Sequence, residues 1–259
     1  MNWDEKLLNT SEQPLDKLVR GYSMTSIFRK MAFIGDSLSS GEFETRDADN
    51  NAGYHDMFDY SWGQFIARKN GISAYNFSRG GMTAKEYIES FAQANDFWNI
   101  EKACQAYVIA LGVNDVYNGG MKNIGNIDDV KNNNLSSFIG AYAEIIRRYK
   151  SISPDAKFFL VTFPNENISD ENKLKCKQVI DELYNLAEYF TNTYVIDLYK
   201  YGPIYDESFK KKYFLYGHMN PMGYILTAEL IDSYIDYIIR NNPDDFMNIA
   251  FVNTGIKYK

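Results

Sequence analysis

The sequence predicts a three-layer α/β/α sandwich built on a five-stranded parallel sheet. Three observations predict it. Short, continuous apolar runs recur along the chain, amphipathic stretches of helical spacing separate them, and no repeat, low-complexity block or proline-rich linker interrupts the alternation. Strand and helix in strict alternation is the pattern of βαβ units. Runs that are apolar throughout suit strands covered on both faces.

The first 29 residues are read as an N-terminal extension packed on the domain. The body is read as residues 30–242. Its strands are expected at Lys30–Gly35, Ala74–Ser78, Ala106–Leu111, Lys157–Thr162 and Tyr194–Leu198, in a flavodoxin-like order. Three helix faces are clear. Phe138, Tyr142, Ile145 and Tyr149 are spaced by four, three and four, and so are Val179, Leu183, Leu186 and Phe190. Ile225, Ala228, Ile231, Ile235 and Ile238 make the third, and all three should turn to the sheet. Asn220 can cap the last helix and Pro221 fits its first turn. Asn241, Asn242 and Pro243 mark its end. Residues 243–259 are read as a C-terminal extension.

Composition narrows the function. The chain has 259 residues, 45% of them apolar, enough for a full core without staples. The net charge is −7 with no basic cluster, so no nucleic-acid partner is expected. The longest apolar run inside the body is Ala106–Leu111, far short of the ~20 residues of a membrane span. The opening "MNWDEKLLNT" lacks the apolar core of a signal peptide, which gives a cytoplasmic expectation. Cys104 and Cys176, both in stretches read as helical, are expected as reduced buried thiols. His55 and His218 are the two histidines, and no metal-ligand spacing surrounds them. No cofactor is implied, and the oligomeric state is left open.

Parallel sheets of this kind gather their chemistry beyond the carboxyl ends of the strands. Gly35, Asp36 and Ser37 follow the first strand, in "FIGDSLSSG". Asn76, Ser78, Gly80 and Gly81 accompany the second, and Gly112, Asn114 and Asp115 follow the third. His218 precedes the last helix, in "YGHMNPMGY". Each group alone has a plain use in turns and caps. Together they put a nucleophile, donors for a negative oxygen and a base on one rim, an arrangement suited to acyl transfer.

These four blocks, in this order and spread over Met31 to about Tyr237, resemble the SGNH, or GDSL, hydrolase family. The resemblance implies Ser37 as nucleophile and His218 as base. It implies an oxyanion hole from the backbone N–H of Ser37, the backbone N–H of Gly81 and the side-chain amide of Asn114. Asp36, Asn76 and Asp115 are read as supporting residues, with Asp115 bracing the loop that aims Asn114. His55 is read as a loop or substrate-rim residue and ranks below His218.

One position departs from the family pattern. An aspartate is expected three residues before the histidine, and Leu215 stands there. Three substitutes stay open: a backbone carbonyl near Phe214 or Leu215, which is favoured; a carboxylate such as Asp206, Glu207 or Asp197; or no support at all. The expected function is hydrolysis of a small acyl ester, with an acetylated carbohydrate among the candidates. An acyltransferase and a non-catalytic carbohydrate-binding module are the alternatives.

Overall fold

The computed structural model describes residues 11–119 and 123–250. The first ten residues of the N-terminal extension, residues 120–122 and the last nine of the C-terminal extension lie outside the described residues. The strands that matter to the site and core are, in chain order, β1 (Lys30–Gly35), β2 (Glu42–Arg46), β3 (Ala52–Asp56), β4 (Ser73–Ser78), β5 (Ala106–Ala110), β6 (Lys157–Val161), β7 (Thr193–Ile196), β8 (Phe214–Leu215) and β9 (His218–Met219). The helices that matter to the site and core are α1 (Ser37–Ser40), α2 (Trp62–Asn70), α3 (Val113–Val116), α4 (Phe138–Ile152), α5 (Asp170–Tyr189), α6 (Glu207–Tyr213) and α7 (Pro221–Asn241).

The central sheet runs β4-β1-β5-β6-β7, and all its pairs are parallel. The strand order reverses at β1, between β4 and β5, and the carboxyl ends there form the crevice such sheets use for ligands. Successive strand residues point to opposite faces and so serve two core layers. Ile34, Tyr107 and Phe158 pack on one face with Phe138, Tyr142, Ile145 and Tyr149 of α4 and the apolar stripe of α5. Phe33, Val108 and Phe159 pack on the other with Trp62 and Ile66 of α2 and Tyr224, Ile231 and Ile235 of α7. Truncating one of these buried rings, such as Phe159→Ala, should cost about 3–5 kcal/mol, since the sheet cannot collapse into the gap.

The α7 start is as expected: the Gly223 N–H donates to the Asn220 side chain, and Pro221 occupies the first turn. Residues 11–29 lie along α7. The Ser23 hydroxyl donates to Asp232 at 2.7 Å, the Met24 N–H donates to Asp236 at 2.7 Å, and Glu12 pairs with Arg240 at 2.9 Å. At the other end, Phe246 stacks on Tyr194 and meets the edge of Phe28. No helix among the described residues is long and apolar enough to cross a membrane.

Two local expectations need correction. The connection after the nucleophile contains an antiparallel hairpin, β2 with β3, and His55 lies in β3 rather than in a loop. Asn76 lies within β4, as the expected strand Ala74–Ser78 has it, and its side chain accepts the Ser78 N–H at 3.0 Å. Cys104 sits in the extended segment before β5 and not in a helix, while Cys176 is in α5; both thiols are buried and free.

Candidate active site

β1 ends at Gly35, where a side chain would collide with Ser39 and with the Ala110 carbonyl of the neighbouring strand. The chain then turns sharply. Asp36 caps α1, accepting the Leu38 N–H at 3.1 Å, and Ser37 becomes the first helical residue. Its hydroxyl is thereby held at the sheet's carboxyl edge. Burial pushes the Asp36 carboxyl up to about 6, against the opposing pull of the Leu38 N–H and His218.

The β4 end supplies Gly80 and Gly81. Gly81 has φ +73°, a left-handed backbone that favours glycine, and a side chain there would meet open space. The β5 end supplies α3, which carries Asn114 and Asp115. Asn114 donates to the Met82 carbonyl at 3.2 Å and accepts from Asn118 at 2.8 Å. Asp115 is fully buried and accepts the Ala84 N–H with both oxygens, at 3.0 and 3.1 Å. Asn114 and Asp115 thus tie the β5 loop to the loop that bears Gly81. Burial, with Asp36 adding to it, lifts Asp115 to about 7 although the Ala84 N–H opposes the shift.

His218 arrives on the far side, in the short hairpin β8–β9, directly opposite Leu215. Among the described residues, Glu44 is the group on its Nδ1, and neither a backbone carbonyl nor one of the three acids expected from the sequence is seen there. Asp206 caps α6 through the Phe209 N–H. Asp197 is buried on the Tyr184 hydroxyl and the Lys200 N–H, and Glu207 is exposed in the first turn of α6. Instead two glutamates of β2 flank the ring. Glu44 Oε2 is 3.3 Å from Nδ1, and Glu42 Oε1 is 2.9 Å from Nε2. Tyr54 of β3 meets the ring edge-on at 5.6 Å.

The two glutamates differ electrically. Glu42 is raised above the usual carboxylate range, first by burial and further by Asp56 and Glu44, with His218 pulling the other way. Burial acts against the charge of Glu44 as well, but the Gly217 N–H, His218 and Arg46 outweigh it and hold Glu44 below that range. Asp56 bonds the Ser40 hydroxyl and so holds the end of β3 against α1. The two carboxylates approach opposite ring nitrogens, and among the described residues no group of three or more His, Cys, Asp or Glu could hold a metal ion.

Ser37, Gly81, Asn114, Glu42 and His218 all line one open cleft of about 680 Å³, with Tyr54 and Tyr216 on its rim. That volume is in the range of small-molecule sites. A second cavity of about 70 Å³ lies by Leu38, Trp62, Phe163 and Met219, and its lining is largely apolar. Of the residues read from sequence, Ser37, Gly81, Asn114, Asp36 and His218 line the cleft; Asn76 and Asp115 support its walls, and Leu215 lies beside it, half exposed. Glu42 and Glu44 were missed. Their signal is the period-two charge pattern Glu42, Glu44, Arg46, which marks one face of a strand.

A family model described as GDSL-like lipase/acylhydrolase matches residues 31–231. No curated protein matches the chain. Among solved structures, a family two carbohydrate esterase from Clostridium thermocellum, in complex with cellohexaose, is similar with 17% identity and a TM-score of 0.55, over 88% of this chain and 67% of that one. A carbohydrate esterase family 2 enzyme with a carbohydrate-binding domain, from Corynascus thermopiles (Myceliophthora fergusii), is similar with 16% identity and a TM-score of 0.56, over 82% and 66%. A protein from Lactobacillus plantarum is similar with 16% identity and a TM-score of 0.58, over 81% and 97%. The chain therefore spans about two thirds of each of the two esterases, and these likenesses concern the fold.

Proposed function

The chain belongs to the GDSL-like lipase/acylhydrolase family, and from that premise we propose that it is a serine esterase that removes a small acyl group from a carbohydrate. The observation that carries this reading is the convergence of Ser37, His218, Gly81 and Asn114 on one cleft. The carbohydrate esterases of similar fold support the substrate class, and so do the exposed rings of Tyr54 and Tyr216 on the rim, which offer apolar faces to a sugar.

Ser37 Oγ attacks the ester carbonyl, and His218 Nε2 takes its proton. A serine hydroxyl needs such a base at neutral pH. The carbonyl oxygen gains the negative charge and is met by the N–H groups of Ser37 and Gly81 and the amide of Asn114. Collapse of the tetrahedral intermediate expels the sugar hydroxyl, which receives the proton from His218. Water then repeats the sequence on the acyl-enzyme and frees Ser37. Glu42 holds Nε2 at 2.9 Å, so this contact gives way to Ser37 Oγ as the ester enters.

The test is turnover of acetylated oligosaccharides and of a chain-length series of simple esters, by wild type, Ser37→Ala and His218→Ala. Activity that falls steeply with acyl length and drops at least ~10³-fold in either variant is expected. Turnover that survives Ser37→Ala in pure protein would refute the proposal. Transfer to added acceptor alcohols in place of water would assign the acyltransferase alternative.

A further inference from the structure

We propose that Glu44 is the positioning carboxylate of His218, supplied from the strand just after the nucleophile rather than from the position three residues before the histidine. The inference rests on the Ser37–His218 reading above and deepens it. The usual position holds Leu215, an apolar side chain 45% exposed. Glu44 Oε2 instead lies 3.3 Å from Nδ1, the long end of a hydrogen bond and a distance that such contacts often show before substrate tightens them.

Glu44 is built to stay in that place. The same oxygen accepts the Gly217 N–H at 2.8 Å, so the carboxylate grips the backbone one residue before the ring it orients. Its other oxygen pairs with Arg46, whose guanidinium lies over the Tyr216 ring at 4.9 Å. The Glu44 side chain is only 4% exposed, and three donors secure its ionised form. An ionised carboxylate on Nδ1 favours the tautomer with the proton on that nitrogen, so that the Nε2 lone pair can act as base once the Glu42 contact at 2.9 Å gives way.

The strand geometry explains how one segment delivers two acids. Residues i and i+2 of a strand share a face. Glu42 and Glu44 therefore project together, one reaching Nε2 and the other Nδ1, while Phe43 between them turns to the opposite face against Tyr60 and Tyr224. Gly41, in the left-handed conformation, ends α1 and starts this strand at once. Nucleophile and positioning acid thus come from one continuous stretch, residues 37–44. The charged and titratable groups that act on His218 are Glu42 and Glu44 of β2, Tyr54 of β3 and Asp36 at the head of α1, while Arg46 and Asp56 act on the glutamates.

The experiment uses the full chain with ¹⁵N-labelled histidine. Two histidines are present, so His55→Gln assigns the spectrum. Where the ring is neutral, wild type should carry its proton on Nδ1, and Glu44→Gln should shift population toward the other tautomer. In parallel, kcat should fall ~10²–10⁴-fold in Glu44→Gln with KM within threefold, by comparison with triad aspartates. Arg46→Gln leaves the carboxylate on the ring and should stay within tenfold of wild type. A ring spectrum unchanged in Glu44→Gln, or an Arg46→Gln loss as large as that of Glu44→Gln, would overturn the proposal. The tautomer is read without turnover, so a failed esterase assay in wild type would sink the function and leave this contact testable.

Discussion

Asp115→Asn should change how stability depends on pH, by an amount the structure sets. Asp115 is fully buried, and burial raises its carboxyl from 3.8 to about 7. Between those values the folded protein holds a proton that the unfolded chain has released. Stability is linked to the difference in bound protons, so it is greatest below 3.8 and is lost as pH rises through about 7. A shift of roughly three units at 1.36 kcal/mol per unit amounts to about 4 kcal/mol. That is a large share of the ~5–15 kcal/mol that holds a typical domain. Asparagine keeps an oxygen for the Ala84 N–H but does not titrate. Its own fixed cost is the same at every pH and cancels from the comparison. Urea unfolding of both proteins across pH 3.5 to 8 should show the variant gaining about 4 kcal/mol relative to wild type as pH rises. Stability curves that stay parallel to within about 1 kcal/mol would refute the reasoning, because the Asp115 carboxyl would then titrate alike in both states.

Three further substitutions probe the walls of the cleft. Gly81→Ala adds a methyl into open space, so only the left-handed backbone is penalised; about 1–2 kcal/mol should be lost by thermal unfolding, while kcat drops at least tenfold as the N–H is re-aimed. Gly80→Ala puts its methyl onto the Glu42 carboxylate, the mobile end of a flexible side chain; the fold should survive, and the ¹⁵N signal of His218 Nε2 should move while that of Nδ1 does not. Asn114→Ala removes one oxyanion donor and should cost ~10²–10³ in kcat, with KM nearly constant in steady-state assays.

The central sheet was legible because most of its strands are nearly continuous apolar runs, β4 alone being interrupted, by Asn76, and such runs have few other uses at that length. The helix faces of α4 and α7 were legible for the same reason: Tyr142, Tyr149, Ile231 and Ile235 are all buried where their spacing put them. The hairpin β2–β3 was not legible. Its faces carry Glu42, Glu44, Arg46, His55 and Asp56, so no apolar alternation betrays it, and it is stabilised by what it lies against. Ser37, Asp36 and Asn114 could be placed because each follows a strand end directly. Leu215 could be seen to break the family pattern, but its replacement could not. Glu44 and His218 are 174 residues apart, and only the packing of the two hairpins brings them together. Even so, the charges at alternate positions Glu42, Glu44 and Arg46 were a usable trace of one strand face.

The most direct measurement of the account is covalent labelling by a fluorophosphonate probe, followed by intact mass and peptide mapping. Wild type should take up one probe, on Ser37, and His218→Ala should slow the reaction at least ~100-fold because the hydroxyl loses its base. An adduct mapped to another residue, or equal labelling of Ser37→Ala, would contradict it.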